Sequence, residues 1–569
     1  MPRTAKILRF PTPLATRPGV IWWEKLPVIF ALSFAATLLL HLPLLRLPYF
    51  WDEAGYYIPA ARDLLLHFQW IPTSTLTNAH PPVVMAWLAL AWKLFGYHAL
   101  VTRVAMLLIA TFALTGVFRL ARYVANAHVA LASVIVTALF PVFFAQSSLA
   151  HVDMTAAALT IWGLADYLRD RYPHCTLWFA LAALGKETAI LAPAALVLWE
   201  LIGIALRKTK WNRYFLFRCC SLRALWLLVS IIPLLFWFGY HYRHTGFIFG
   251  NPEFVRYNVA STLNPIRFLA ALAMRLWELF GYMNLFVLTI VALLAMTRAP
   301  LPLDEPARNG NGAQTTHRPR IAIPTQLVFA VLILAYTIAL SIVGGAVLAR
   351  YLLPVYPLVI IEFISTLWRR LPWWHAFVAV VCLAFILGLL INPPYHFAPE
   401  DNLSYADFVR LHQRAAKYIE AHPPSQRVLT AWPGSDELTK PYLGYVSSAI
   451  TIVRIEDFSF PQIMKARNEA SSFDQAFLFS TKYEPSTGSF LIRLPFWEPL
   501  QRRFFNYHLD LPPAVAAEML EGHVVFQQEQ GGQWVSVLLM DRALNAHAEA
   551  LTAKPSLLGY HQKAGRHPN

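Results

Sequence analysis

Six short stretches place ionisable side chains where apolar runs begin or end. Asp52 and Glu53 stand in "PYFWDEAGYY" (48–57), His80 in "AHPP" (79–82) and Asp153 in "AHVDM" (150–154). Lys186 stands in "GKET" (185–188), Arg256 in "YHYRHTGFIFGNPEFVRYN" (240–258) and Arg350 in "ARYLLPVYP" (349–357). An uncompensated charge at membrane depth costs about 2.5–3.5 kcal/mol or more, so several at the ends of spans mark a site. The set combines acids with cations. That mixture suits a reaction in which one group takes a proton while others hold an anion. Each residue also has a plainer reading: Asp52 as a charge at a helix end, Asp153 as an N-terminal helix charge, the arginines as snorkelling side chains.

The elements that must position these residues are membrane helices. The chain has 569 residues, 57% hydrophobic and 14% charged, with a mean hydropathy of +0.46. That is too apolar for a soluble protein of this length. The formal net charge of +15 is not spread evenly. Of 47 Lys and Arg and 32 Asp and Glu, residues 393–569 hold 16 and 18, leaving 31 and 14 before them. A basic excess confined to the apolar part is expected of cytoplasmic loops and speaks against a nucleic-acid partner. The four cysteines all precede residue 393, and none has zinc-ligand spacing.

A span needs about 20 apolar residues. Such runs lie near 26–45, 99–118, 128–146, 154–168, 175–185, 189–206, 222–240, 280–296, 324–346, 351–368 and 374–391. The stretch 81–96 is short, opens on two prolines and carries Lys93. Laid along the interface, it leaves "RLARY" (119–123), "RDRYPH" (169–174), "RKTKWNR" (207–213), the loop 298–320 and "WRR" (368–370) on one side. The positive-inside rule makes that side cytoplasmic. The expectation is then about eleven transmembrane helices, with interfacial helices in the first external loop. Residues 1–25 form a cytoplasmic segment, with Arg3, Lys6, Arg9, Arg17 and Lys25 ahead of an uncleaved anchor. Residues 26–392 form the membrane domain. Residues 393–569 form an extracytoplasmic α/β domain, with strands at 427–432, 449–455 and 475–481 and a hairpin at 523–540 turning at Gly531-Gly532. The loop 298–320, rich in Pro, Asn and Gly, reads as irregular and flexible.

The ordered polar set resembles that of the GT-C superfamily of membrane glycosyltransferases, close to the protein O-mannosyltransferases and the bacterial aminoarabinose transferase that modifies lipid A. An acidic pair opens the first external loop. A His-Pro-Pro element, an Asp in the second loop, a Lys in a broken helix and an Arg-Tyr-x-x-Pro element follow, over roughly residues 20–370. The resemblance implies an inverting glycosyltransferase, hexosyl or pentosyl, working on the extracytoplasmic face of an inner membrane. Its donor would be a polyprenyl-phosphate sugar and its acceptor a hydroxyl of a glycolipid, polysaccharide or protein. Asp52 is then the catalytic acid residue, and Glu53 either orients it or caps the helix behind it. Lys186, Arg256 and Arg350 are donor phosphate ligands; His80 and Asp153 are substrate-binding. The family's usual Lys-Gly is Lys-Glu here, which allows a Lys186–Glu187 ion pair. The metal site is unknown: no cofactor is certain and a divalent metal is possible, with no diagnostic spacing.

A glycolipid transporter or flippase of the cell envelope would also carry intramembrane charge and broken helices, but it commonly shows a duplicated hydropathy pattern. None is visible in this chain. A partner-binding scaffold leaves the buried charges unexplained. The charge asymmetry predicts a labelling pattern. In a chain without its native cysteines, a new cysteine in 393–569 should react with an impermeant maleimide in spheroplasts, and one at 309–315 should not. The reverse would place Asp52 in the cytoplasm.

Overall fold

The computed structural model describes residues 22–78, 80–205, 222–252, 264–308, 314–343, 345–424, 427–483, 485, 497–505 and 507–542. Arg256, the basic residues at 3–17, the cluster 207–213 and the "GNG" at 310–312 lie outside them. The chain folds as two compact units, 1–409 with 482–507 and 410–481 with 508–569. The expected boundary at 393 therefore falls inside the first unit, and a return segment of the second half belongs there too.

The first unit is helical. Helix α1 (Leu26–His41) leads into two short helices, α2 (Ile58–His67) and α3 (Val83–Phe95). At 1.5 Å per residue, the 13 residues of α3 rise about 20 Å, short of a hydrocarbon core of about 30 Å. Helix α4 (Ala99–Val124) follows. The expected span 128–146 is instead two helices, α5 (Ala127–Leu139) and α6 (Pro141–Gln146), because Pro141 has no amide to continue the ladder.

Helix α7 (Val152–Tyr167) is buried along nearly its whole length, and its composition explains why. Alanine, threonine and glycine let neighbouring helices approach closely, the usual driver of helix packing in lipid. A Cβ on Gly163 would stand 2.8 Å from the Phe179 ring, and one on Gly116 of α4 would stand 2.9 Å from the Trp162 indole. Helix α8 (Tyr172–Gly185) stops at Lys186, passes through a 3₁₀ turn (Glu187–Ile190) and resumes as α9 (Leu191–Ala205).

Five helices among the described residues are long and apolar enough to cross a bilayer: Leu26–Leu44, Ala99–Val124, Leu222–Thr245, Pro265–Met296 and Ile323–Ile342. The fourth corrects the sequence reading, which placed no span between the runs 222–240 and 280–296. Its first half, Pro265–Phe280, interrupts hydropathy with Arg267 and Arg275, both buried. Arg267 donates to the carbonyls of Ser341, Val343 and Gly345, and Arg275 to Leu348 and Glu278. These carbonyls lie in the last turn of the helix Ile323–Ile342 or in the segment after it, where helical partners are lacking. The segment that leads to Arg350 is thereby clamped.

The loop 298–320 is also more ordered than expected, since β1 (Pro302–Arg308) pairs antiparallel with β2 (Gln314–His317). The run 351–368 begins as a 3₁₀ turn (Ala349–Leu352) before the helix Tyr356–Arg370, and Trp374–Leu390 follows.

The second unit carries a five-stranded sheet in the order β4-β3-β5-β7-β6. Strands β3 (Val428–Ala431), β4 (Ile452–Ile455) and β5 (Gln475–Phe479) are parallel, and β6 (Gly522–Gln530) and β7 (Gln533–Met540) form an antiparallel hairpin. Gly531 and Gly532 turn it with φ of 59° and 77°, values that glycine adopts without strain. The strands lie where the alternating and apolar runs placed them.

One buried ion pair ties the first unit together. Glu53 is wholly buried and accepts from Arg103 Nη1 at 2.5 Å and Nη2 at 3.0 Å. It also accepts from the amides of Phe50 (2.8 Å) and Ala150 (2.6 Å). Arg103 in turn donates to the carbonyls of Pro48 and Ser148. Removing one partner of such a pair strands a buried charge, so Arg103→Ala should cost about 3–5 kcal/mol in SDS unfolding titrations. A loss below about 1 kcal/mol is the value for an exposed pair and would deny Glu53 its anchoring role.

Candidate functional site

Arg350 lies in the 3₁₀ turn between two helices, and its side chain is 5% exposed. Three carboxylates from distant segments face it. Its Nη2 donates to Asp52 Oδ2 at 2.5 Å, its Nη1 lies 2.9 Å from Glu400 Oε1, and its Nε lies 3.5 Å from Asp153 Oδ2. Nη1 also lies 3.1 Å from His151 Nδ1. Burial works against the guanidinium charge, but Glu400, Asp52 and Asp153 more than offset it and hold Arg350 well above its ordinary pKa. The same cation, together with burial, keeps His151 well below the ordinary histidine range.

Asp52 owes its place to an unusual stretch of backbone. Trp51 has φ 41°, a left-handed value that is rare for a bulky residue, and a π-helical turn (Glu53–Tyr57) follows. The strain is held by packing: Trp51 lies edge-on to Phe408 at 5.5 Å and beside Phe50 at 6.1 Å. The Asp52 side chain is 27% exposed, against 3–6% for Asp153, Glu400, Arg350 and Lys186. Of these five, Asp52 is the most exposed.

Lys186 ends α8, and its ammonium meets Asp153 Oδ1 at 2.5 Å and the face of Tyr351 at 3.7 Å. The ion pair with Glu187 allowed by the sequence is not formed. Glu187 turns to His80, with Oε2 2.8 Å from Nδ1. Burial would raise the Glu187 carboxyl, but His80 and Lys186 together draw it down to about 2. Asp153 therefore bridges the two cations, Lys186 and Arg350. His80 also lies beside Tyr57, whose ring centroid is 5.9 Å from its own. A small pocket adjoins His80 and is lined by Tyr56, Trp70, Thr77, Asn78, Met85 and Trp237 among others.

Glu53 does not cap the helix behind it. Both its oxygens serve Arg103 and backbone amides, which fixes the turn that carries Asp52. Among the described residues no three His, Cys, Asp or Glu side chains group as a metal site. Among the described residues, the acids Asp52, Asp153 and Glu400 are turned to Arg350 and Lys186.

Glu400 and Tyr351 are the members sequence reasoning missed. Glu400 lay in the stretch assigned to the soluble domain. A signal was available: Glu400-Asp401 is an acidic pair placed soon after an apolar run, the same pattern as Asp52-Glu53.

This fold is the one expected of GT-C membrane glycosyltransferases, and the chain is a multi-pass membrane protein. Residues 79–237 match the family model of the dolichyl-phosphate-mannose-protein mannosyltransferases, a stretch that includes His80, Asp153 and Lys186. Among solved structures, ArnT from Cupriavidus metallidurans in the apo state superposes with a TM-score of 0.51 at 15% identity, covering 90% of this chain and 98% of that one. The same enzyme bound to undecaprenyl phosphate gives 0.52 at 15% identity, with 89% and 97% covered. The Archaeoglobus fulgidus oligosaccharyltransferase in complex with Zn and sulfate gives 0.43 at 13% identity, with 79% and 67% covered. No curated protein sequence matches the chain.

If Asp153 orients Lys186, the two must be energetically coupled. Stability measured for Lys186→Met, Asp153→Asn and the double variant should give a coupling of about 0.5–3 kcal/mol. Additive effects would mean that the pair is a contact without consequence.

Proposed function

We propose that the protein is an inverting glycosyltransferase that moves a hexosyl or pentosyl group from a polyprenyl phosphate to a hydroxyl acceptor. The acceptor belongs to a glycolipid, a polysaccharide or a protein on the extracytoplasmic face, with the N-terminus in the cytoplasm. The observation that carries this reading is the meeting of Asp52 with Arg350 and of Asp153 with Lys186 at one end of the helices. A partly exposed acid stands beside two buried cations. The likeness to a structure bound to undecaprenyl phosphate supports the donor class.

In this reading Asp52 takes the proton of the acceptor hydroxyl as its oxygen attacks the anomeric carbon. One in-line displacement inverts that carbon. The bond to the phosphate oxygen breaks, and its electrons leave with the polyprenyl phosphate. A phosphate leaving group needs no general acid but does need positive charge nearby, and Arg350 and Lys186 supply it. Asp153 sets the position of Lys186, Glu53 sets the position of the Asp52 turn, and His80 contacts substrate from the cavity side. Arg256 remains a third phosphate ligand in the proposal.

The test is direct. Purified protein in detergent, given a radiolabelled polyprenyl-phosphate sugar and candidate acceptors, should transfer the label. Asn nearly matches Asp in volume but cannot accept the proton. Asp52→Asn should therefore keep donor binding while turnover falls about 10²–10⁴-fold. Near-normal turnover in this variant would reduce Asp52 to an interfacial anchor.

A further inference from the structure

Among the described residues, the core of the site holds three carboxylates (Asp52, Asp153 and Glu400) against two cations (Arg350 and Lys186). The surroundings add no positive excess. Asp401 is buried beside Glu400 and accepts from the Tyr282 hydroxyl at 2.6 Å, and Glu187 faces His80. Arg256, the third phosphate ligand of the proposal, brings the count to three against three, yet the proposed donor then adds one more negative charge as a phosphodiester. In a buried setting like charges interact strongly, so one acid has to give up its charge for the donor to stay.

The geometry singles out one of them. Asp52 and Asp153 each receive a hydrogen bond at 2.5 Å from a cation. Glu400 Oε1 lies 2.9 Å from Arg350 Nη1 but makes no aligned hydrogen bond, and it is 4% exposed. Its backbone is fixed, because Gln146 Nε2 donates to its carbonyl at 3.1 Å. The charged groups facing Glu400 are Arg350 from the 3₁₀ turn, Asp52 from the first connecting segment, Asp153 from the start of α7 and Asp401 beside it. Three of those four repel a second negative charge. Glu400 therefore loses least by taking a proton.

We propose that Glu400 is the charge-compensating residue of the site, carrying a proton whenever the donor phosphate is bound at Arg350 and Lys186. The inference rests on reading the cluster as the donor phosphate site. It makes Glu400 a positioning residue: its protonated form keeps Arg350 beside it without competing for the guanidinium charge. The electrostatic surroundings agree. Burial pushes the Glu400 carboxyl up to about 8 against the pull of Arg350, with Asp52 and Asp401 pushing the same way as burial. The sign follows. Below about pH 8 Glu400 already carries its proton and donor affinity is full. Above it the proton must be captured on binding, so affinity falls as pH rises.

The experiment uses a short polyprenyl methyl phosphodiester, whose single charge does not change between pH 6 and 9, and the full-length protein in detergent. Wild-type affinity should be flat up to about pH 8 and then fall by as much as about tenfold per pH unit. Glu400→Gln should be flat across the range and bind more tightly than wild type at pH 9. Asp401→Asn should keep a fall in affinity with rising pH, moved to lower pH because Asp401 no longer pushes the Glu400 carboxyl up. If Glu400→Gln fails to fold, titration calorimetry on wild type in two buffers of different ionisation enthalpy decides the matter. Uptake approaching one proton at pH 9 supports the proposal, and no uptake overturns it. A pH dependence that disappears in Asp401→Asn but persists in Glu400→Gln also overturns it. A probe that binds at no pH overturns the donor-site reading beneath it, which separates the two failures.

Discussion

A charge that cannot reach water must find its partners inside the protein, and Arg350 finds three. No neighbouring stretch of chain supplies them. Asp52 comes from the segment after α1, Asp153 from the first turn of α7, and Glu400 from the segment after the last apolar helix. Forming this cluster is therefore the same event as bringing one end of the helices together. A buried pair is poor evidence for net stability, because desolvation consumes much of the attraction. What it supplies is a requirement: without its acids the guanidinium is left buried and unmatched.

Two further buried cations extend that logic. Arg103 gathers Glu53 and the carbonyls of two connecting segments, and Arg267 gathers three carbonyls at and past a helix end. Each joins parts of the chain that have no regular structure to hold them. Around the site, irregular backbone is thus fixed by charge, while the helices behind it are fixed by close packing. Helix α7 belongs to both schemes. Its small residues let α4 and α8 come near, and its first turn presents Asp153.

Much of this was legible before any coordinates. Hydropathy located most of the helices, and the order of polar motifs along the chain pointed to Asp52, Asp153, Lys186 and Arg350, which the fold brings together, and to His80, which faces Glu187 instead. Lys186 was expected at a helix break, and it lies at one. The partners were not legible, because an ion pair is a tertiary fact: Lys186 lies one residue from Glu187 yet pairs with Asp153, 33 positions away. The helix Pro265–Phe280 was missed because its arginines count against it in hydropathy, although pairing to carbonyls removes their cost. Glu400 was missed because it lies beyond the last apolar run, where the membrane domain was taken to end. Pro141 shows the opposite fault, a break hidden inside a run of uniform hydropathy.

The reactive groups all sit in connectors or in the first turn of a helix, whereas lipid contact belongs to the helix bodies. Leu32 and Leu39 of α1, and Leu383 and Leu390 of the helix Trp374–Leu390, project outward and touch none of the charged cluster. Matching the hydrophobic length of a helix to its bilayer costs only fractions of a kcal/mol per ångström, and it is adjusted through such outward residues. The two tasks therefore fall on separate sets of positions. Adaptation to a thicker or thinner membrane can rewrite one set and leave the geometry around Arg350 untouched.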